Sequence, residues 1–119
     1  APTQMAAIEA LTGPQESVAT MRFAFDERRK IIVRGLNQIE GFRCVEPQGA
    51  FYAMPNIEGT GIGARELQDG LLEVAGVATV AGTSFGEYGE GYLRFSYAAS
   101  SEQILEAMTR IREFLTQRT

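Results

Sequence analysis

Histidine is absent from the 119 residues. Its absence removes the Ser-His-Asp and Cys-His nucleophile arrangements. With only one cysteine, Cys44, the usual structural zinc sites go too. A lone cysteine makes no internal disulfide, which points to a reducing compartment and hence to a cytoplasmic protein. Tryptophan is missing, and lysine occurs once, as Lys30. A net charge of -4 with no basic run argues against nucleic acid as a partner. No apolar run approaches the ~20 residues needed to span a bilayer, so a membrane is not expected either. The opening Ala1-Pro2-Thr3-Gln4 lacks the basic and apolar regions of a signal peptide. It also lacks an initiating Met, as expected of a fragment of a longer protein or of a processed terminus.

The chain does have an ordinary apolar share of 45%, enough to bury a core, at a length that suits one domain. Residues 3–12 read as a short helix with Thr3 as N-cap, stopped by Gly13-Pro14. Val18, Met21, Phe25, Ile32, Leu36 and Ile39 then recur at helical spacing. They predict one continuous helix over 14–39, nearly ~40 Å long, ended by Gly41. Strands are expected at 42–45 and 50–54 around the turn Glu46-Pro47-Gln48-Gly49, and at 77–80 and 91–98. A helix over 64–74 lies between the two pairs. Ser100 and Gln103 form a capping box for a last helix with the stripe Ile104, Met108, Ile111 and Leu115. The order αα-ββ-α-ββ-α predicts an α+β fold, a small mixed sheet of short strands flanked by helices, with a long N-terminal linking helix.

Within Gly91-Tyr92-Leu93-Arg94-Phe95-Ser96-Tyr97-Ala98, period two puts Leu93, Phe95 and Tyr97 on the core face. Tyr92, Arg94 and Ser96 fall on the other. The Arg94 fork matches a carboxylate with two parallel hydrogen bonds. Mid-strand arginines on open sheets are, however, commonly solvated or paired with an acidic residue, and pattern alone favours that blander reading. The glycine-rich loop 81–91 leads into a strand and not into a helix N-terminus, so it reads as a connection and not as a phosphate cradle. Lys30 lies in Asp26-Glu27-Arg28-Arg29-Lys30, a charged helix face, and reads as solvated. Cys44 reads as a small buried hydrophobe. Glu87 and Glu90 are loop charges. Pattern thus gives one anion-binding candidate, no catalytic residue and no metal ligand.

Four stretches taken together resemble a known family. They are Leu11-Thr12-Gly13-Pro14-Gln15-Glu16 with Met21, Phe25 and Glu27-Arg28-Arg29; Pro47-Gln48-Gly49-Ala50-Phe51-Tyr52 with Pro55-Asn56; Val80-Ala81-Gly82-Thr83-Ser84-Phe85-Gly86 followed by Gly91–Ala98; and the helix from Glu102 to Leu115. Their order and spacing are similar to the C-terminal part of class I/II, fold-type I, pyridoxal-phosphate-dependent aminotransferases, nearest the bacterial aspartate and aromatic branch. The resemblance covers essentially the whole chain.

It implies a small domain, residues 14–119, packed on a large cofactor-binding domain, usually in a homodimer. Residues 1–13 would be a helix belonging to that large domain. The amino group would move between an amino acid of aspartate or aromatic type and a 2-oxo acid. By resemblance Arg94 holds the substrate α-carboxylate and Phe51 borders the substrate pocket. The Schiff-base lysine and the main cofactor contacts lie upstream in the family. The cofactor-binding set in this chain is therefore expected to be empty, and the chain alone inactive and without bound pyridoxal phosphate. Two departures stand out. Ala81 replaces a usual proline, a change expected to loosen its loop, and Lys30 replaces a usual aspartate. A non-catalytic carboxylate-binding or protein-binding α+β module, or a lyase or synthase of the same fold, stays open as an alternative.

Overall fold

The computed structural model describes residues 1–118. Helix α1 spans Pro2–Thr12 and α2 spans Glu16–Asn37. Strand β1 is Tyr52–Ala53, and α3 is Ala64–Gly70 continued by a wider turn at Leu71–Ala75. Strand β2 is Val80–Ala81, β3 is Leu93–Ser96, and α4 is Ser101–Arg118. The three strands form one sheet in the order β1-β3-β2. The α+β class and the small sheet of short strands among helices are as expected. Both pairings are antiparallel, so the sheet is not mixed.

Two of the expected strands shrink because their backbone groups are bonded outside the sheet. Asn37, the last residue of α2, accepts the Cys44 N–H at 2.8 Å and donates to the Cys44 carbonyl at 3.0 Å. The stretch 42–45 is therefore left with a single bridge, Arg43 to Asn56. Val77 gives its N–H to the Leu71 carbonyl at 2.9 Å, which holds it against the α3 turn and out of the sheet. β1 stops at Ala53; Pro55 has no N–H to give, so only its carbonyl takes part, accepting Leu93 N–H at 3.2 Å, before the pairing resumes as the Asn56–Tyr92 bridge.

The helix ends also differ in detail. Pro2 occupies the first turn of α1 and Ala1 its N-cap, so Thr3 is inside the helix and not its cap. α2 begins two residues late, at Glu16, behind Gln15, whose amide donates to the carbonyls of Ala10 and Gly13. The capping box at α4 forms as expected. The Gln103 N–H donates to Ser100 Oγ at 3.2 Å, and the Ser100 N–H to Gln103 Oε1 at 3.3 Å.

The core lies where α2, α3 and α4 cover one sheet face. Ile32, Leu36 and Ile39 meet Ile104, Met108, Ile111 and Phe114 over Ala53, Leu93, Phe95 and Tyr97. Phe114 takes the buried place expected of Leu115, which is only partly buried. Each such side chain contributes about 1.5–3 kcal/mol when fully buried. Gly35 admits α4 closely, since a Cβ there would lie 2.7 Å from Met108 Cγ.

The apolar stripe of α2 is only half used. Val18 and Met21 are exposed and Phe25 is partly buried, because among the described residues nothing covers the first half of the helix. α1 buries no residue, and its Leu11 is 83% exposed. The outline is accordingly long, 56 × 29 × 25 Å, with a radius of gyration of 17.1 Å. A compact chain of this length has roughly 13–14 Å. Among the described residues no helix is long and apolar enough to cross a membrane.

Candidate functional site

Arg94 sits on β3, the central strand, opposite Val80 of β2. Leu93, Phe95 and Tyr97 point into the core, while Arg94 is half-buried on the opposite face, as the alternation predicts. Tyr52 pairs with Ser96, one step diagonally from Arg94 and on the same face. Arg94 Cζ lies 4.2 Å from the centre of the Tyr52 ring and 4.4 Å from the centre of the Phe85 ring. Phe85 closes the short turn Gly82–Phe85 after β2. The two rings thus reach the guanidinium from the β1 and β2 sides of its strand.

Among the described residues no acidic side chain pairs with Arg94. The ion pairs formed by Arg29, Lys30, Arg110 and Arg118 leave it out. It is a half-buried cation whose neighbours are ring faces, with its N–H edges left for something else.

Phe51 stands one place removed. Its ring is 4.5 Å from that of Tyr52 and 6.0 Å from that of Phe25 on α2. A file of rings therefore runs from α2 to Arg94 and on to Phe85. Phe51 is 40% exposed, and the chain just before it is bent: Ala50 has φ +61°, in the left-handed region. Buried Tyr97 fixes that bend. Its hydroxyl donates to the Ala50 carbonyl at 2.9 Å and its N–H to the Phe51 carbonyl at 2.8 Å. Burial also pushes the Tyr97 hydroxyl pKa up, so it stays a proton donor.

On the other flank, Gly82 and Gly89 cross so closely that a Cβ on either would run into the other's carbonyl oxygen. Gly82 N–H donates to Tyr92 O at 2.8 Å, and Tyr92 N–H to Gly89 O at 3.1 Å. Ala81 does not loosen this loop. Its N–H donates to Gln68 Oε1 at 2.7 Å, a bond that a proline could not make.

The remaining candidates lie away from Arg94 or are occupied. Lys30 pairs with Asp26 at 3.2 Å and Glu27 at 3.5 Å, and the hydrogen bond to Asp26 raises its pKa. Arg29 binds Asp26 and Glu46, each at 2.6 Å, and ties α2 to the turn before Phe51. Cys44 is 7% exposed, and burial raises its thiol pKa. A cavity of about 690 Å³ lies among Gln38, Gly59, Ile62, Arg112 and Leu115. A second, of about 410 Å³, lies beside Phe25, Ala50 and Tyr97. Arg94 lines neither.

Sequence reasoning named Arg94 and Phe51 as candidates but did not name Tyr52 and Phe85 as the rings against the guanidinium. For Tyr52 a usable signal existed: an aromatic in a predicted neighbouring strand. The placement of Phe85 depends on the fold of the glycine-rich loop.

Fold and site together define an α+β unit with an open, aromatic-flanked arginine at the centre of its sheet. Residues 1–111 match the family Aminotransferase class I and II, and the chain belongs to that family. It is 46% identical to an aspartate aminotransferase of Pyrococcus horikoshii over 114 residues, covering 94% of this chain and 29% of that protein. It is 46% identical over 120 residues to an aspartate aminotransferase of Streptomyces avermitilis, covering 93% and 29%. The crystal structure of an aromatic aminotransferase from Pyrococcus horikoshii superposes with a TM-score of 0.91 at 41% identity, covering 97% of this chain and 31% of the other. The chain spans about 30% of the length of the relatives it matches.

The family implies pyridoxal phosphate in the full protein. The residues present here do not fit it: the one lysine is held protonated between two carboxylates on an open helix face, the reverse of the desolvated setting a Schiff-base lysine needs.

Proposed function

We propose that this chain is the carboxylate-docking, C-terminal part of a pyridoxal-phosphate-dependent aminotransferase. The enzyme would move an amino group between an amino acid of aspartate or aromatic type and a 2-oxo acid. The observation that carries this reading is the state of Arg94, half-buried between two rings with no acidic partner among the described residues. A guanidinium so placed keeps its coplanar N–H donors for a planar anion. The names and coverage of the relatives supply the reaction class.

In this reading Arg94 fixes the α-carboxylate and thereby the direction of the Cα–H bond. Phe51 and Tyr52 border the substrate. The cofactor is held by residues outside this chain, so the chain alone is inactive. Residues 14–119 form the small domain of a cytoplasmic homodimer. The bare apolar side of α1 (Met5, Ile8 and Leu11) is in keeping with residues 1–13 resting on the large domain.

The test is Arg94→Ala and Arg94→Lys in the full-length polypeptide. Charge-assisted hydrogen bonds of about 1.5–3 kcal/mol are at stake, or roughly 10–150-fold in kcat/KM. Arg94→Ala should raise KM and lower kcat together, by more than Arg94→Lys does. An unchanged kcat/KM for the alanine variant overturns the assignment.

A further inference from the structure

We propose that Tyr52 and Phe85 make the Arg94 site selective for planar carboxylates over tetrahedral oxyanions, a property that rests on the carboxylate-docking reading above. Their ring centres lie 4.2 and 4.4 Å from the same carbon, Arg94 Cζ. The two rings make no ring contact with each other, although pairs as far apart as 6.4 Å count as contacts in this fold. Two rings that close to one atom, yet apart from one another, approach the guanidinium from well-separated directions, and in the proposed arrangement they cover its two faces. They also arrive from different elements, Tyr52 from β1 and Phe85 from the turn after β2.

All five N–H donors of a guanidinium lie in its plane. With both flanks occupied, an anion has only the edge to approach. A carboxylate meets that edge with both oxygens, its carbon and the attached Cα in one plane. A sulfonate or phosphonate that places two oxygens on the same edge must hold its third oxygen out of the plane. That oxygen is then directed toward a ring face, and aromatic faces are electron-rich. The same faces that attract the cation thus repel the extra oxygen. Selectivity of this kind needs arginine and both rings together; lysine, a point charge without a plane, has no such preference.

The rings are anchored differently, which makes the claim testable one side at a time. Phe85 is 54% exposed, so its replacement does not open the core. Its position depends on the Gly82–Gly89 crossing. Tyr52 is held in the sheet and is backed by Phe51.

The experiment uses the full-length polypeptide and two probes of equal charge, propionate and ethanesulfonate, with binding followed by NMR titration so that turnover is not required. The wild type should bind propionate more tightly. Phe85→Leu and Tyr52→Leu should each shrink the propionate-to-ethanesulfonate ratio by roughly 3–10-fold, the range of one partly exposed cation–ring contact. Phe85→Tyr, which keeps a ring, should preserve it. If the leucine variants weaken both anions equally, the rings act only as packing and the proposal fails. It fails also if the wild type binds neither anion or prefers the sulfonate. Amino-group transfer is measured separately on the same preparations. A shifted ratio without transfer would sink the aminotransferase reading and leave the ring selectivity standing; transfer with an unshifted ratio would do the reverse.

Discussion

Tyr97→Phe removes one oxygen from a buried ring and nothing else. In the native fold that hydroxyl donates to the Ala50 carbonyl at 2.9 Å across 47 residues of sequence. A neutral hydrogen bond of this kind contributes about 0.5–1.5 kcal/mol net. Ala50 is exposed, so its carbonyl can turn to water, which places the expected loss near the middle of that range, about 1 kcal/mol. The bond also holds Ala50 at φ +61°, where an alanine carries a strain of about 1–2 kcal/mol. Ala50→Gly relieves that strain while adding about 0.4–1 kcal/mol of unfolded-state entropy, so it should be neutral to stabilising by up to about 1.5 kcal/mol. Urea denaturation followed by circular dichroism reads both, with an unchanged m-value marking an intact native state. Tyr97→Phe should therefore lower the midpoint, while Ala50→Gly should leave it unchanged or raise it. A destabilising Ala50→Gly would refute the claim that the bend before Phe51 is strained and held in place by Tyr97.

Three further outcomes follow from the same geometry. Gly82→Ala forces a methyl against the Gly89 carbonyl and should cost at least about 1–3 kcal/mol, with loss of carboxylate affinity as Phe85 leaves Arg94; calorimetry of the variant checks both. Hydrogen bonds from Arg29, then Lys30, hold the Asp26 carboxyl below its ordinary value of about 3.9. Its native pKa is lower than its unfolded one, so its stabilising effect is present above that value and lost as pH falls through the native value. Denaturation midpoints between pH 5 and pH 2 should fall more steeply for the wild type than for Asp26→Asn. Cys44 is buried with a raised thiol pKa, so a thiol reagent at pH 7.5 should label it slowly in the folded chain and at full rate in denaturant.

What could be read from the chain depended on how local the cause was. The Ser100–Gln103 box, the α4 stripe apart from its last member and the outward direction of Arg94 each follow from residues within a few positions of one another, and each stands in the structure. The strands at 42–45 and 77–80 were overestimated because their backbone groups are taken by Asn37 and Leu71, partners that no local pattern reveals. The α2 stripe is legible in the sequence, but only Phe25 and the residues beyond it are covered, since burial needs a second surface and Val18 and Met21 have none among the described residues. At the site, Arg94 and Phe51 came from the sequence, whereas the rings on the guanidinium required the β1-β3 register and the fold of the loop carrying Phe85.

The crossing of Gly82 and Gly89 has a consequence for how this surface can be altered. The two residues act as a neck, and the segment 83–88 hangs beyond it with both ends pinned to Tyr92. Within the segment Phe85 is committed to Arg94, while Tyr88 is 91% exposed. Extra residues inserted beside Tyr88 would lengthen a loop already closed at its base, at about 0.6 kcal/mol for each doubling of length. β2 and β3 would keep their register and Arg94 its rings. The tip at Tyr88 is therefore a place where the polypeptide can gain a new appendage beside the Arg94 face without rebuilding the sheet that carries it.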